Sequence, residues 1–515
     1  MSRTYSADLF DLIKSLNPSE KGYIKKFALR SSTKGNRLYL SLFDAIDKQK
    51  VYNEKELLKA LKGAKQLTEL KNYLHSAICQ TLASYHSASS VRLELIKMMG
   101  MIEVLMEKGL MAQSGKLLAK AKKIVMEHEL YSFLLELLQW EKRAMTIKEI
   151  TFEKKLDKIY AEEQECLETL KTTSDYWQRR SKVNMFAKRN SLVRTSNELS
   201  EFKKHTDDLI KIEKFPSSWL GKIYFYEMNA TYFEITGNIL KQYQYRQECL
   251  NLFKNSALKI IQHPNAYLIT LNNYLTVLLR LKKYEEVEKC FILSRSIKSY
   301  QLNNIKIREA LFMIHCNELN FYLVRGEFEK GLVIIKEMEP SFKQYLKEMS
   351  DEMKLTLFIN IALIYFGAGD FVKTLYWLNK IISNYTINLR NEIACFARIL
   401  NLITHFELGN ADLLEYVVKS TYRFLYKRGG LYKFETTILH FIKNKLPYIF
   451  NNKELIQAFI GLKEELEEIV KDPLEQKALE SFDFIYWLKS KIENRPFGEI
   501  LREKSRYTIE DESGH

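Results

Sequence analysis

The sequence predicts an all-α protein built from antiparallel helical hairpins. Over most of its 515 residues, apolar side chains recur at the three- and four-residue spacing of a helix with one buried face. Only 7 Pro and 18 Gly interrupt these runs, well below the ordinary usage of about 5% and 7%. Because strands need a turn every few residues, so few breakers favour long helices. Short turn sequences also return at a regular interval, which indicates a repeat architecture.

The clearest hairpin lies in residues 355–382, whose sequence is LTLFINIALIYFGAGDFVKTLYWLNKII. Apolar side chains mark one face before Gly367 and one face after Gly369, so we expect a helix on each side. The Gly-Ala-Gly-Asp segment between them leaves room only for a tight turn. Gly369 can take the left-handed backbone that ends a helix, and Asp370 can cap the next one.

The first 90 residues are predicted to form a separate helical domain with a net charge of +7. Asn17 or Ser19 can cap a helix that begins near Pro18, and Asn53 with Glu56 has the spacing of a capping box. The expected elements are helices at 9–16, from residue 18 onward, 38–48, 54–61 and 67–85, with a polar loop at 31–36.

Residues 91–450 are predicted to hold the repeats. An early turn follows Glu107, whereas residues 150–214 give too weak a signal for hairpins to be assigned. The later turns are Thr236-Gly237-Asn238, Leu281-Lys282-Lys283, Arg325-Gly326-Glu327, Ala368-Gly369-Asp370 and Leu408-Gly409-Asn410. Their central residues are 45, 44, 43 and 40 residues apart. Such a period is typical of a solenoid, in which each hairpin buries its apolar face against its neighbours.

At these turns the chain resembles the tetratricopeptide repeat family. That family's hairpin has a small residue, an aromatic residue three positions later and a glycine four positions after that, followed by a second aromatic and a second small residue. The best copy consists of Ala362, Tyr365, Gly369, Phe371 and Thr374. The resemblance covers residues 91–145 and 219–425 and implies a right-handed α-solenoid with a concave, protein-binding surface. The period of 40–45 residues exceeds the family's usual 34 or so, which requires longer helices or loops.

Other copies of the motif are less complete. In the copy around Tyr284, Lys282 replaces the glycine. A further copy is formed by Tyr322, Gly326, Phe328 and Gly331, with Gly331 at the second small position. The family favours asparagine two residues before the first small position, where this chain has Asn273, Asn317 and Asn360. The whole chain also resembles uncharacterised helical-repeat proteins of bacteria, so we expect a bacterial origin.

Residues 451–515 are predicted to cap the solenoid with helices and a polar tail. Asp472-Pro473 has the character of a helix start, and the last strong helix is expected from Leu474 to Ile492. Residues 454–515 carry a net charge of −6, whereas the whole chain carries +15. A terminal unit with a charged outer face is what a solenoid needs to cover its last apolar edge.

The sequence contains none of the motifs that would indicate catalysis, a cofactor or a metal site. It has no GxxxxGK[ST], HExxH, GxSxG or GxGxxG pattern. Its six cysteines are scattered singly, which is typical of small buried hydrophobes in a reducing compartment. No stretch approaches the ~18 apolar residues of a membrane span, and the N-terminus is not a signal peptide. We expect a non-enzymatic, cytoplasmic protein without cofactors or membrane contacts.

The leading hypothesis is a scaffold or adaptor that binds a partner protein or peptide on the concave surface. The candidate contacts are polar or cationic positions on the expected groove side, although ordinary solvent exposure explains them equally well. They are Asn272, Thr276, Arg280, Arg308 and Asn320. Because the body of the chain is basic, we expect the partner segment to be rich in acidic residues.

An alternative hypothesis is a transcriptional regulator with a repeat-built sensor. The segments 54–61 and 67–75, joined by a glycine-containing turn, are compatible with a helix-turn-helix unit that binds DNA. The second helix and the turn just before it offer only Lys65 and Lys71 as clear cationic contacts. Nucleic acid is therefore the less favoured partner.

Overall fold

The computed structural model describes residues 5–30, 34–61, 67–86, 90–145, 152–189, 196–212, 214–297, 305–384, 391–426, 433–449, 451–471 and 484–510. Within these ranges every regular element is helical and no strand occurs, so the predicted all-α class is confirmed for this part of the chain. The chain forms two compact units, Met1–Gln178 with Ile212–Lys222 and Arg179–Lys211 with Ile223–His515. The predicted three-part division at residues 90 and 450 stays a prediction.

Five N-terminal helices share a hydrophobic core in the first unit. They are α1 (Tyr5–Ser15), α2 (Pro18–Arg30), α3 (Lys34–Lys48), α4 (Glu54–Ala60) and α5 (Leu67–His86). The cap predicted before α2 forms a reciprocal capping box, because Asn17 and Glu20 each accept the other's backbone N–H. Asn53 caps α4, but its own N–H donates to the side chain of Gln49 and not to Glu56. Helix α3 begins at Lys34, four residues before the predicted start, and residues 31–33 of the predicted loop lie outside the described ranges.

A second core in the same unit is built from helices that follow each other closely. They are α6 (Val91–Glu107), α7 (Met111–Glu127), α8 (Tyr131–Ala144) and the first part of α9 (Phe152–Arg189). The turns between α6, α7 and α8 contain Gly109 at φ +73° and Glu129 at φ +53°. Glu129 has a further role, because its carboxylate accepts the backbone N–H of Trp219 at 2.7 Å.

The remaining helices complete the hairpin series and the C-terminal segment. They are α10 (Ser196–Thr206), α11 (Trp219–Ile235), α12 (Ile239–Lys254), α13 (Ala257–Gln262), α14 (Pro264–Arg280), α15 (Tyr284–Ser294), α16 (Ile305–Val324), α17 (Phe328–Glu348), α18 (Asp351–Gly367), α19 (Phe371–Asn384), α20 (Asn391–Glu407), α21 (Ala411–Tyr426), α22 (Lys433–Asn444), α23 (Asn452–Ile469), α24 (Phe484–Ile492) and α25 (Phe497–Glu510). A short 3₁₀ turn, Leu446–Tyr448, follows α22.

All five regular turns of the hairpin series occur where the sequence predicts them. Their central residues have left-handed backbones, with φ values of +80° at Gly237, +54° at Lys282, +66° at Gly326, +79° at Gly369 and +69° at Gly409. At Gly369 the backbone N–H donates to the Phe366 carbonyl, and the next N–H donates to the Tyr365 carbonyl. This pair of bonds is the Schellman arrangement that ends a helix and reverses the chain.

The first helices of successive hairpins pack against one another in the second unit. Helix α14 contacts α16, α16 contacts α18, and α18 contacts α20, while each first helix also contacts the second helix of its own hairpin. A small residue is needed where the second helix α17 meets the next first helix, α18. A Cβ added at Gly331 would lie 2.5 Å from Ile364 Cδ1, which explains the small residue that the repeat motif places there.

The C-terminal helices belong to the same hydrophobic core as the hairpins from α16 onward. Phe497 stacks on Phe328 at a centroid distance of 5.9 Å, and Trp487 Nε1 donates to Glu407 Oε1 at 2.7 Å. Lys491 forms an ion pair with Glu407 at 2.6 Å. The described helix begins at Phe484, and the predicted helix start at residues 472–473 lies outside the described ranges.

Candidate functional site

The structure places all five predicted partner-binding residues on α14 and α16. Arg280 and Asn320 are exposed, whereas Asn272 and Thr276 are half-buried. Asn317 Nδ2 donates to Asn272 Oδ1 at 2.9 Å, which joins the two helices through their amides. These residues therefore lie on neighbouring helices of one surface, as a shared site requires.

The fifth predicted residue, Arg308, lies near the start of α16 and is only 6% exposed. A guanidinium with so little exposed surface cannot be a main contact for a partner. Reversing its charge would destabilise the fold, because a buried charge without compensating partners is strongly unfavourable. Such a variant would report on folding and not on binding. Arg308 is therefore not part of the candidate site.

The solvent-facing stripes of α14, α16 and α18 form a surface that we call the amide face. Its members are polar side chains of these three helices, and on α14 and α16 they include pairs three or four residues apart, which share one side of the helix. They are Asn272, Asn273, Thr276, Asn317, Asn320 and Asn360. Asn360 Nδ2 donates to the Cys316 carbonyl at 3.3 Å, so this asparagine also links its helix to the preceding one.

Two asparagines of the amide face keep their full hydrogen-bonding capacity. The side-chain amides of Asn273 and Asn320 make no hydrogen bond to any residue that the structure describes. Each amide carries two donors and one acceptor. Asn317 and Asn272 use only part of their capacity on each other. The surface can therefore supply donors and acceptors side by side, as a peptide group requires.

Exposed apolar side chains border this amide surface. Ile269 is 41% exposed and Met313 is 43% exposed. They precede Asn273 and Asn317 by one helical turn, so they lie beside these two amides. A mixture of apolar side chains and unpaired polar groups is what binding surfaces offer to a partner.

A buried charge cluster that was not predicted from the sequence involves α16, one of the helices of the amide face. Glu318, which is 1% exposed, accepts from Arg295 Nη2 at 3.0 Å, and Arg295 also reaches Glu337 at 3.3 Å. Tyr322 Oη donates to Glu318 at 3.4 Å. Burial raises the pKa of Glu318, and Arg295 opposes that rise. The cluster ties α16 to α17 and to the end of α15, so we assign it a structural role.

His315 makes stability depend on pH. It is buried, its Nδ1 has no hydrogen-bond partner in the described chain, and burial together with the nearby Arg295 lowers its pKa to about 4. The unfolded chain, with a histidine pKa of about 6.5, binds the proton first as the pH falls. The free energy of unfolding should therefore decrease between about pH 6.5 and pH 4, by about 3 kcal/mol from this residue.

Urea unfolding at several pH values, compared between the wild type and His315→Leu, measures this contribution. The raised pKa of Glu318 acts in the opposite direction, because its contribution is lost as the pH rises. Subtracting the variant's free energy of unfolding from that of the wild type at each pH removes the contribution of Glu318, which both proteins share. Equal pH dependence of the wild type and the variant would contradict the prediction.

The N-terminal helices give little support to the DNA-binding alternative. Lys71 is 5% exposed, donates to Tyr52 Oη at 2.6 Å and pairs with Glu54 at 3.1 Å, so it is not free to contact phosphate. Lys65 and the glycine-containing turn at 62–66 lie outside the described ranges. Within α5, Lys71 is the only lysine or arginine.

The described ranges contain neither a metal-binding cluster nor a membrane-spanning helix. Across the described ranges, no three His, Cys, Asp or Glu residues come together in a way that could hold a metal ion. None of the helices in that part of the chain combines the length and apolar character needed to span a bilayer. Four of the six cysteines, Cys166, Cys249, Cys290 and Cys316, are buried, as expected for small hydrophobes.

Comparison with known proteins adds no family to these observations. No protein-family model matches the sequence, and a search of curated proteins finds no significant relative. A function for this chain must therefore be inferred from the geometry of the amide face alone.

Proposed function

We propose that the chain is a non-enzymatic scaffold or adaptor whose amide face binds a segment of a partner protein. The free amides of Asn273 and Asn320, beside the exposed Ile269 and Met313, carry this proposal. We also propose that the hairpins stack as a right-handed, tetratricopeptide-like solenoid with this face on its concave side. The regular turns and the contacts between first helices support that arrangement.

A peptide segment suits this surface for a physical reason. Water already satisfies exposed amides, so a partner must replace those hydrogen bonds and add something more. Peptide groups replace them in kind, and burial of Ile269 and Met313 adds a hydrophobic gain. A cytoplasmic setting, in which many proteins expose unstructured segments, fits this proposal.

The attraction expected for an acidic partner depends on the exposed arginines of the predicted set. Arg280 is exposed and donates to Gln242 Oε1 at 3.2 Å, whereas Arg308 is buried. The cationic contribution of the predicted set therefore comes from Arg280 alone. If the partner is acidic, its capture should weaken steeply as salt is raised from low to physiological concentration and above.

A photo-crosslinking residue placed at position 320 tests the proposed function. We expect p-benzoylphenylalanine there to form a defined adduct with a partner in cells, because Asn320 is exposed on α16, which packs against both α14 and α18. Gln457 is the matched control, since it is an exposed amide on α23, which packs against α22 and α24.

The same two positions test the requirement for the amide. Asn320→Arg should abolish the adduct of a crosslinker placed at position 273, whereas Gln457→Arg should leave it unchanged. Adducts that form equally from positions 320 and 457, or that survive Asn320→Arg, would place the binding surface elsewhere.

A further inference from the structure

The turn between α22 and α23 carries a group of exposed cations. Residues 436–453 contain three lysines and one histidine but no aspartate or glutamate, so this stretch is basic without a compensating charge of its own. Six of its exposed side chains form a surface that we call the basic turn. They are Lys443, Asn444, Lys445, Tyr448, Asn452 and Lys453.

The packing of the two helices brings these side chains to one end of a hairpin. Phe441 contacts Phe459 at a centroid distance of 5.9 Å, and Thr437 Oγ1 lies 3.5 Å from Glu465 Oε1, so α22 and α23 run antiparallel. The C-terminal end of α22 therefore lies beside the N-terminal end of α23. The 3₁₀ turn keeps Tyr448 at the same end, because its backbone N–H donates to the Lys445 carbonyl at 3.1 Å.

The positive charge of the basic turn is not neutralised within the described part of the chain. There, Lys443, Lys445 and Lys453 form no ion pair with a carboxylate. On α23, Glu454 follows Lys453 directly, whereas the other acidic residues of that helix begin at Glu464, about 16 Å further along the helix axis. The lysines can therefore attract an anionic group from another molecule.

Tyr448 adds a flat ring to this cationic surface. Its side chain is 73% exposed, so the ring stands almost entirely in water. A nucleotide uses both features, because its phosphate pairs with a lysine while its base stacks on the ring, whichever base it carries. The carboxylates of an acidic peptide would pair with the lysines but would leave the ring uncovered. The combination therefore favours a nucleic acid strand whose bases are unpaired.

Asn444 and Asn452 favour RNA over DNA. Both side-chain amides are exposed, and each offers two donors and one acceptor next to a lysine in the sequence. The ribose 2′-hydroxyl both donates and accepts hydrogen bonds, so either end of an amide can bind it. Deoxyribose has no such group, and the two amides would gain nothing from it.

We propose that the basic turn binds single-stranded RNA. The lysine ammonium groups contact successive phosphates, one base stacks on Tyr448, and Asn444 and Asn452 contact ribose hydroxyls. Three cations and one stacking ring suit a short site of about four nucleotides. This surface belongs to α22 and α23, whereas the amide face belongs to α14, α16 and α18, so the proposal does not depend on the proposed function.

Fluorescence anisotropy of a labelled 20-nucleotide oligouridine, titrated with the full-length protein, provides the measurement. If the three lysines neutralise three phosphates, the binding constant should fall about tenfold when monovalent salt is raised from 50 to 150 mM. Oligodeoxyuridine of the same length differs only in the 2′-hydroxyl and should bind about fivefold more weakly. Oligouridine paired with oligoadenosine should bind more weakly still, because its bases cannot stack on Tyr448.

Two charge-reversal variants locate the site. Lys443→Glu combined with Lys445→Glu should weaken binding at least tenfold and make it less sensitive to salt, because phosphate contacts are lost. Lys120→Glu combined with Lys123→Glu is the matched control, since it changes the net charge by the same amount on the exposed face of α7. The control should change the affinity by less than twofold.

Two variants of Tyr448 test the stacking. Tyr448→Ala should weaken binding at least fivefold, whereas Tyr448→Phe, which keeps the ring, should leave it unchanged. All five replaced side chains are exposed, so urea unfolding should give every variant the midpoint of the wild type.

Equal losses for the two double variants would overturn the proposal, since binding would then follow only the net charge. Tyr448→Ala without effect, or equal affinity for oligouridine and oligodeoxyuridine, would overturn single-stranded RNA as the occupant. Displacement of the RNA by polyglutamate at equal charge would assign the surface to an acidic protein. Stronger binding to vesicles of phosphatidylglycerol than to oligouridine would assign it to an anionic membrane. None of these results alters the adducts expected from position 320.

Discussion

Removal of residues 471–515 is expected to leave most of the protein aggregated. The deletion takes away five buried apolar side chains of α24 and α25, namely Phe484, Trp487, Leu488, Ile500 and Leu501. Burial of each such side chain contributes about 1.5–3 kcal/mol, so their sum is about 8–15 kcal/mol. That sum is as large as the whole stability of a typical protein, about 5–15 kcal/mol.

The deletion also uncovers the surfaces on which these helices pack. Phe328 and Phe366 lose their contacts with Phe497, and Phe406 and Phe459 lose their contacts with Trp487. Contiguous aromatic surface of this kind promotes association between molecules. The C-terminal helices cover this aromatic surface, and their role as a cap stays a prediction that the deletion tests.

The measurement is the soluble fraction after expression, followed by size-exclusion chromatography of whatever remains soluble. The control is removal of Asp511 to His515 alone, a polar stretch whose loss should leave the elution volume and the unfolding midpoint unchanged. A soluble, monodisperse protein that ends at residue 470 and unfolds at the same urea concentration would show that the segment is dispensable.

The second large effect is expected from Gly326→Val, which should lower the free energy of unfolding by at least about 3 kcal/mol. Two independent factors add at this position. The backbone φ is +66°, a region that β-branched residues strongly disfavour. In addition, a Cβ would lie 2.6 Å from the Gly498 carbonyl oxygen and 2.9 Å from Leu501 Cβ, so α25 would have to move.

Gly369→Val is the matched variant for this experiment. Its φ of +79° is similar, but a Cβ there would meet no atom within 4 Å. We therefore expect the backbone effect alone, about 1–2 kcal/mol. Urea unfolding of both variants gives the difference, which reports the contact between Gly326 and α25. Gly461→Ala, on an open face of α23 without a positive φ, should be neutral or slightly stabilising.

Equal losses for the two valine variants would mean that α25 does not press on the turn at Gly326. An unchanged midpoint for Gly369→Val would mean that the turn readily accepts a residue with a branched Cβ. The first result would contradict the close contact between Gly326 and α25. The second would contradict the strain expected from a positive φ at Gly369.

The local structure of the hairpins can be predicted from the amino-acid sequence alone. Helix periodicity identified the helices, and the turn residues identified the turns centred on Gly237, Lys282, Gly326, Gly369 and Gly409. The left-handed backbone itself was predicted at Gly369. The cap at Asn17 was also predictable. Each of these features depends on side chains and backbone groups within about five residues, so the information is present in a short window.

Which of the predicted residues share a surface depends on how the helices pack in three dimensions. Arg308 and Lys71 carry charges that the sequence suggested for binding, yet both are buried. The hydrogen bond between Asn272 and Asn317 joins residues 45 positions apart, and Gly326 meets Gly498 across 172 positions. Burial and such contacts depend on which helix faces meet, and no short stretch of sequence contains that choice, because it is made by the packing of the whole core.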